Sequence, residues 1–235
     1  MNKLYFDIET IPAPESAEKT LRYLYERKQK KHKERDGEEE FMTFEEFFEQ
    51  TSFDGTYGRI CTIAYALNNE PVQSFSGDET EMVRKFWEVA GRADLFVGHN
   101  IRDFDLPFIM QRSVILGVRP SWDKYLTLGV SKFRLPAGVK YLDFARYMNL
   151  PIFDTQWEWN NWREKWSNKT IEHISLALGI PTPKDGIDGS EVWKFYKEGK
   201  VKEICEYCMR DVETVRAVYK RMTFEDLPNT ESAPF

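Results

Sequence analysis

From Lys3 to Glu9, in KLYFDIE, apolar and polar positions run in a short segment rich in aromatic and β-branched residues, which predicts a strand ending near Thr10 before Pro12 and Pro14. From Glu15 to about Gln50 the pattern changes. Charge is dense, with RKQKKHKER (27–35) passing directly into DGEEE (36–40), and Leu21, Leu24 and Tyr25 make only a thin apolar stripe before Phe41, Phe44, Phe47 and Phe48. High helix propensity with so little apolar surface predicts a helical excursion on the surface, not a separate domain. RICTIAYAL (59–67) and PVQSFS (71–76) predict two strands joined at Asn68-Asn69, a hairpin. Asp78 caps a predicted helix through Ala90, DLFVGHN (94–100) is a buried strand with a polar end, and a second helix runs from about Phe104 to Leu116, stopped by Gly117. Past a stretch of unassigned pattern containing KYLDFARYM, helices are predicted at 169–178, 190–198 and 200–222, punctuated by Gly179, Pro181 and Gly199. Strands first, then alternating strand and helix, then helices, make an α/β sheet covered by helices. A single domain over 1–225 with a tail at 226–235 is expected.

Composition narrows the partners. With 235 residues, 41% apolar and 15% aromatic, the chain can build a substantial core. Its net charge of −6 supplies no global basic field, so a polyanion would be met by local patches or through metal ions. Cys61, Cys205 and Cys208 form no even framework, and the one CxxC lies in a helical stretch without a second pair. A reduced, cytoplasmic setting follows. No stretch approaches the ~18 apolar residues of a membrane span, and charge begins at Lys3, so neither secretion nor a membrane is expected.

The first strand poses a question of charge. Asp7 and Glu9 are two apart, so their carboxylates share one face of the strand. Such a pair ordinarily lies on an exposed edge or is neutralised by Lys or Arg. In HNIRDFDLPFI, Asp103 and Asp105 open a helix, where acids complement the helix dipole. In EICEYCMRDVETV, Tyr207 and Asp211 are four apart on a helix, an ordinary surface spacing. Taken together, three elements of one α/β domain supply at least four carboxylates and a phenol, with no histidine or cysteine in the group. That composition favours hard, oxygen-preferring ions such as Mg²⁺ or Mn²⁺ over zinc.

FDIET, GHNIRDFD and YCMRD resemble, in their order, the three motifs of the DEDD 3′-5′ exonucleases, spread over about 205 residues. The DIETIP opening and the Tyr-x-x-x-Asp third motif resemble the predicted exonucleases akin to the proofreading domain of family B DNA polymerases. The histidine subgroup would need His at 206, where Glu206 stands, so the tyrosine subgroup is indicated. The resemblance implies a ribonuclease H-like fold, a mixed sheet flanked by helices, and a two-metal hydrolysis of the terminal phosphodiester. It implies that Asp7 bridges two Mg²⁺ or Mn²⁺ ions, that Glu9 and Asp211 complete the first ion's shell, that Asp105 supports the second, and that Tyr207 orients the attacking water. Thr10, Asn100 and Phe104 fall at positions that contact substrate. Two divalent ions ~4 Å apart would be the positive charge between Asp7 and Glu9. The implied partner is nucleic acid with a 3′ end, single-stranded DNA first. RNA trimming is the alternative, and a catalytically silent nucleic-acid-binding module a further one. The excursion at 15–50 is a candidate docking arm for a replication or repair protein, and oligomeric state is left open.

Other residues have simpler readings. His99, at a strand end, is expected to be satisfied by backbone, and Asp103 to cap its helix. The basic run at 27–35 is expected to be a solvated face, and Cys205 and Cys208 to be packing residues. In QWEWNNWREKW (156–166), Trp159, Trp162 and Trp166 have helical spacing, which favours a core-facing stripe over base stacking.

Overall fold

The computed structural model describes residues 1–36, 41–120, 152–161, 169–182 and 189–225. The five strands β1 (Lys3–Ile11), β2 (Arg59–Leu67), β3 (Gln73–Ser76), β4 (Leu95–Gly98) and β5 (Ile152–Asp154) form one sheet in the order β3-β2-β1-β4-β5. β1–β2 and β2–β3 pair antiparallel, β1–β4 and β4–β5 parallel. The sheet is therefore mixed. The β2–β3 hairpin forms as expected, with Asn68 at φ 53°.

Period-two alternation decides which side of β1 meets which helix. Leu4, Phe6 and Ile8 point into a core shared with Phe86 and Trp87 of α3 (Glu79–Ala90) and Leu106 and Ile109 of α4 (Asp105–Leu116). Tyr5 points the other way, onto Cys208, Val212, Val215 and Tyr219 of α8 (Val201–Met222), and Ile11 onto Ile204 near that helix's start. The helix thus runs antiparallel to β1, and Asp7 and Glu9, on the same face as Tyr5 and Ile11, lie under it. Layers of helix on both sides of the sheet remove its apolar surface from water.

The capping chemistry read from sequence is in place. Asp78 accepts the Glu81 N–H, and Gly117 and Gly179 end α4 and α6 (Ile171–Leu178) at φ 66° and 65°, where a side chain is strained. The expected helix at 190–198 is a 3-10 turn, Gly189–Glu191, followed by α7 (Val192–Lys197). β1 runs one residue further than expected, to Ile11. It crosses a bulge in which Glu9 faces Thr62 while Thr10 faces Ile60, leaving Cys61 as the extra residue.

The excursion contains α1 (Glu18–Asp36) and α2 (Phe44–Glu49), the second begun by a Thr43–Glu46 capping box. Tyr25 ties them together, its ring centroid 5.6 Å from those of Phe41, Phe44 and Phe47. Residues 27–35 are exposed apart from a half-buried His32, as a solvated face should be. Among the described residues no helix is long and apolar enough to cross a membrane. KYLDFARYM, Trp162, Trp166, residues 37–40 and the tail at 226–235 lie outside the described residues.

Candidate active site

Each acid reaches the site for a separate structural reason. β1 carries Asp7 and Glu9, half-buried, on its α8 face. β4 stays paired with β1 only as far as Tyr5↔Val97, so the edge of β1 beyond that point is open. There the buried Asp105 carboxylate accepts the Ile8 N–H at 3.1 Å. α8 is amphipathic, and its buried face carries Tyr207 and Asp211 together with Ile204, Cys208, Val212 and Val215. Tyr207 and Asp211 are not a surface pair: they are 9% and 8% exposed, and the phenol hydrogen-bonds the carboxylate.

The electrostatics show that these acids are neighbours. Burial, and then Asp105, Asp211 and Glu9, raise the Asp7 pKa well above the usual carboxylate range, while the Cys208 thiol pulls it down. Glu9 is raised by burial and by Asp211 and Asp105. Asp105 is raised to about 8, mainly by burial, against the Ile8 hydrogen bond that favours its charged form. Burial and the carboxylates Asp211, Glu9 and Asp7 push the Tyr207 phenol up, so it keeps its proton at neutral pH. Like charges gathered this closely require a counter-charge. The donors are mostly carboxylate oxygen, which suits hard divalent cations, so the residues fit the ions implied by the sequence.

The sequence puts no cysteine in the carboxylate group, whereas the fold brings ligand atoms of Asp7, Glu9 and Cys208 within 4.8 Å of one another. Cys208 packs, as expected, but against a carboxylate. Cys205 lies 3.4 Å from the Thr62 hydroxyl. A signal existed for Cys208: it falls in the stripe 204, 208, 211, 212, 215 that faces the sheet.

The loop after β4 is built around a residue the sequence reading missed. Asp154, at the end of β5 and 1% exposed, accepts the N–H groups of Asn100 (2.9 Å), Arg102 (3.0 Å), Gln156 (3.0 Å) and Trp157 (3.3 Å). It caps α5 (Thr155–Trp159) and ties that helix to the loop carrying Asn100 and Phe104. An Asp closing an apolar run before Thr-Gln signals the cap; its bonds to a loop 54 residues away have no sequence signature. Asn100 sits at φ 60°, and at Gly98 an added Cβ would collide with Ile101 Cγ2.

Asp103 does not cap α4. Phe104 occupies that position and has no polar atom to cap with, while Asp103 accepts the Trp157 indole N–H at 3.0 Å. Trp157, 8% exposed, is the buried tryptophan of α5, whereas Trp159 is 38% exposed and not part of a core stripe. His99 is satisfied, in part by a side chain: Nδ1 is 2.9 Å from the Thr155 hydroxyl, and burial lowers its pKa to about 4. Thr10 donates its hydroxyl to the Ser52 carbonyl at 2.6 Å, joining β1 to the end of the excursion.

Residues 55–227 match the family described as predicted 3′-5′ exonuclease related to the exonuclease domain of PolB. The match takes in Asp105, Tyr207 and Asp211 and leaves β1 outside. No curated protein matches the chain. Among solved structures, the family B DNA polymerase from the hyperthermophilic archaeon Pyrobaculum calidifontis is similar in fold, with a TM-score of 0.61 and 15% identity. The likeness covers 95% of this chain and 24% of the polymerase, so the chain spans about a quarter of its length. The sheet and its flanking helices thus have the ribonuclease H-like arrangement of a polymerase exonuclease domain.

Proposed function

Because the chain belongs to the family of predicted 3′-5′ exonucleases related to the exonuclease domain of PolB, we propose that it hydrolyses the terminal phosphodiester of single-stranded DNA 3′ ends, releasing nucleoside 5′-monophosphates. Residues 1–225 form the exonuclease domain in this reading. The observation that carries it is the convergence of Asp7, Glu9 and Asp105 with Asp211 and a protonated Tyr207 on the buried face of α8.

Asp7, Glu9, Asp105 and Asp211 would hold two divalent ions, Mg²⁺ or Mn²⁺. When bound, these supply an activated water and stabilise the leaving 3′ oxygen. Tyr207, keeping its phenolic proton, orients the attacking water through its hydroxyl. Asp105 is fixed by the Ile8 N–H, so its carboxylate enters the site already aimed. Asn100, Phe104 and Thr10 border the terminal nucleotide. A paired 3′ end must first fray, at a cost of a few kcal/mol, so single strands are cut faster than blunt duplexes.

The test is degradation of end-labelled single-stranded DNA and RNA, in parallel, with Mg²⁺, Mn²⁺ or EDTA. Loss of at least ~10²-fold on Asp7→Ala or Asp211→Ala, in variants whose circular dichroism shows the fold retained, is expected. Tyr207→Phe should slow turnover less than Asp211→Ala and leave Mn²⁺ affinity unchanged. Full activity in EDTA, or in either aspartate variant, overturns the assignment; faster cutting of RNA replaces the substrate.

A further inference from the structure

A cleft of about 540 Å³ opens directly on Glu9 and Thr10. Its size is that of a small-ligand site, for which ~300–1,000 Å³ is usual. Phe104 forms part of its floor, α7 contributes Trp193, Lys194 and Lys197, and the end of the excursion contributes Phe53.

Phe53 is 72% exposed, and a single exposed phenylalanine is unremarkable by itself. Its setting is what matters. The 3-10 turn that carries it, Gln50–Phe53, is fastened once to β1 and once just past its end: Thr10 donates to the Ser52 carbonyl at 2.6 Å, and the buried Thr51 hydroxyl accepts the Ala13 N–H at 2.9 Å. The backbone that carries the ring is therefore anchored beside the strand that carries Glu9, and the ring's surface is open. Trp193, by contrast, has its ring occupied, stacked on Tyr196 at 6.0 Å with Lys197 Nζ 5.2 Å from its centroid. The two walls also differ in charge. The excursion contributes Glu46 and Glu49, with Glu46 engaged by Thr43, and α7 contributes Lys194 and Lys197. A polyanionic strand fits with its phosphates toward α7 and its bases toward Phe53.

We propose that Phe53 is a stacking platform for a base at the 3′-terminal end of the substrate strand, and that Lys194 and Lys197 take the phosphate beside it. The proposal rests on the exonuclease reading, since it supposes that the strand runs through the site at Glu9.

The experiment compares wild type, Phe53→Ala, Phe53→Trp and Lys197→Ala on single-stranded DNA oligonucleotides that are intact or abasic at the last three positions. Affinity is read by fluorescence anisotropy in EDTA and kcat/KM with Mn²⁺; RNA oligonucleotides form a parallel arm. Wild type should prefer the intact strand by about 5- to 100-fold, the range of one base stacked on an aromatic ring. Phe53→Ala should close that gap, Phe53→Trp should restore it, and Lys197→Ala should weaken both strands equally. Because Phe53 is exposed, its variants should melt like wild type. An unchanged intact-to-abasic ratio in Phe53→Ala overturns the subsite while the exonuclease reading stands on turnover. Binding with the expected ratios but without hydrolysis overturns the exonuclease reading and leaves the subsite. Absence of both binding and hydrolysis overturns the two together.

Discussion

Cys208 Sγ lies 3.4 Å from Asp7 Oδ2 and 3.4 Å from the Asp7 carbonyl oxygen. Burial first, then Asp7, Glu9 and Asp211, push the thiol pKa up, so at neutral pH the group is an S–H donor. It steadies a carboxylate proposed as a metal ligand without adding negative charge. Cys208→Ala should lower kcat/KM by about 2- to 10-fold, the scale of one ~0.5–1.5 kcal/mol hydrogen bond, and Cys208→Ser should recover most of it. An alanine variant indistinguishable from wild type across a metal titration would show that Asp7 needs no such donor.

Asp154 should be a stability residue whose loss is felt at the site. Asp154→Ala takes the acceptor from the N–H groups of Asn100 and Arg102, and a buried orphan costs ~1–3 kcal/mol. Denaturant unfolding should show a loss of at least about 2 kcal/mol, with activity of the remaining folded protein reduced because Asn100 and Phe104 lose their anchor. Asp154→Asn, which keeps one acceptor oxygen, should fall between. A fully stable alanine variant contradicts the role.

Metal and pH should act on stability in opposite directions. In the unfolded chain aspartates and glutamates ionise near ~4. In the fold Asp105 keeps its proton to about 8, and Asp7 and Glu9 are also raised. Between those values the unfolded chain binds fewer protons, so the metal-free protein should lose stability as pH rises from ~4 to ~8. Saturating Mn²⁺ should remove that decline and raise the melting temperature more at pH 8 than at pH 5. Differential scanning fluorimetry with EDTA or Mn²⁺ across this range reads both; a metal-free protein that gains stability over the same interval refutes the electrostatic picture.

The two tryptophans of α5 should separate cleanly. Trp157 is 8% exposed and donates to Asp103, so Trp157→Ala should cost ~3–5 kcal/mol. Trp159, at 38% exposed, keeps more of its ring in water and should lose less, about 1–2 kcal/mol, on replacement by alanine. Equal losses of melting temperature in the two variants would contradict this division. At a temperature where Trp159→Ala is fully folded, any rise in its KM for single strands reports contact with substrate.

Local patterns in the chain carried much of the architecture. Alternation in β1, the Asn68-Asn69 turn, the Asp78 cap and the glycines at 117 and 179 are written in neighbouring residues, because strand pleat, turn geometry and helix termini depend on a few consecutive side chains. The same local logic placed Asp7 beside Glu9 and Tyr207 beside Asp211. Packing alone set the rest. Cys208 meets Asp7 because α8 lies antiparallel across β1, Asp154 reaches Asn100 because β5 ends next to β4, and Asp103 abandons the helix cap for Trp157 because α5 docks there. Those partners are separated by 54 to 201 residues, and a hydrogen bond across such a distance leaves no periodicity in the chain. Phe53 followed the same rule: nothing in the sequence near it distinguished this ring from the four phenylalanines before it, until Thr10 fastened its turn beside Glu9.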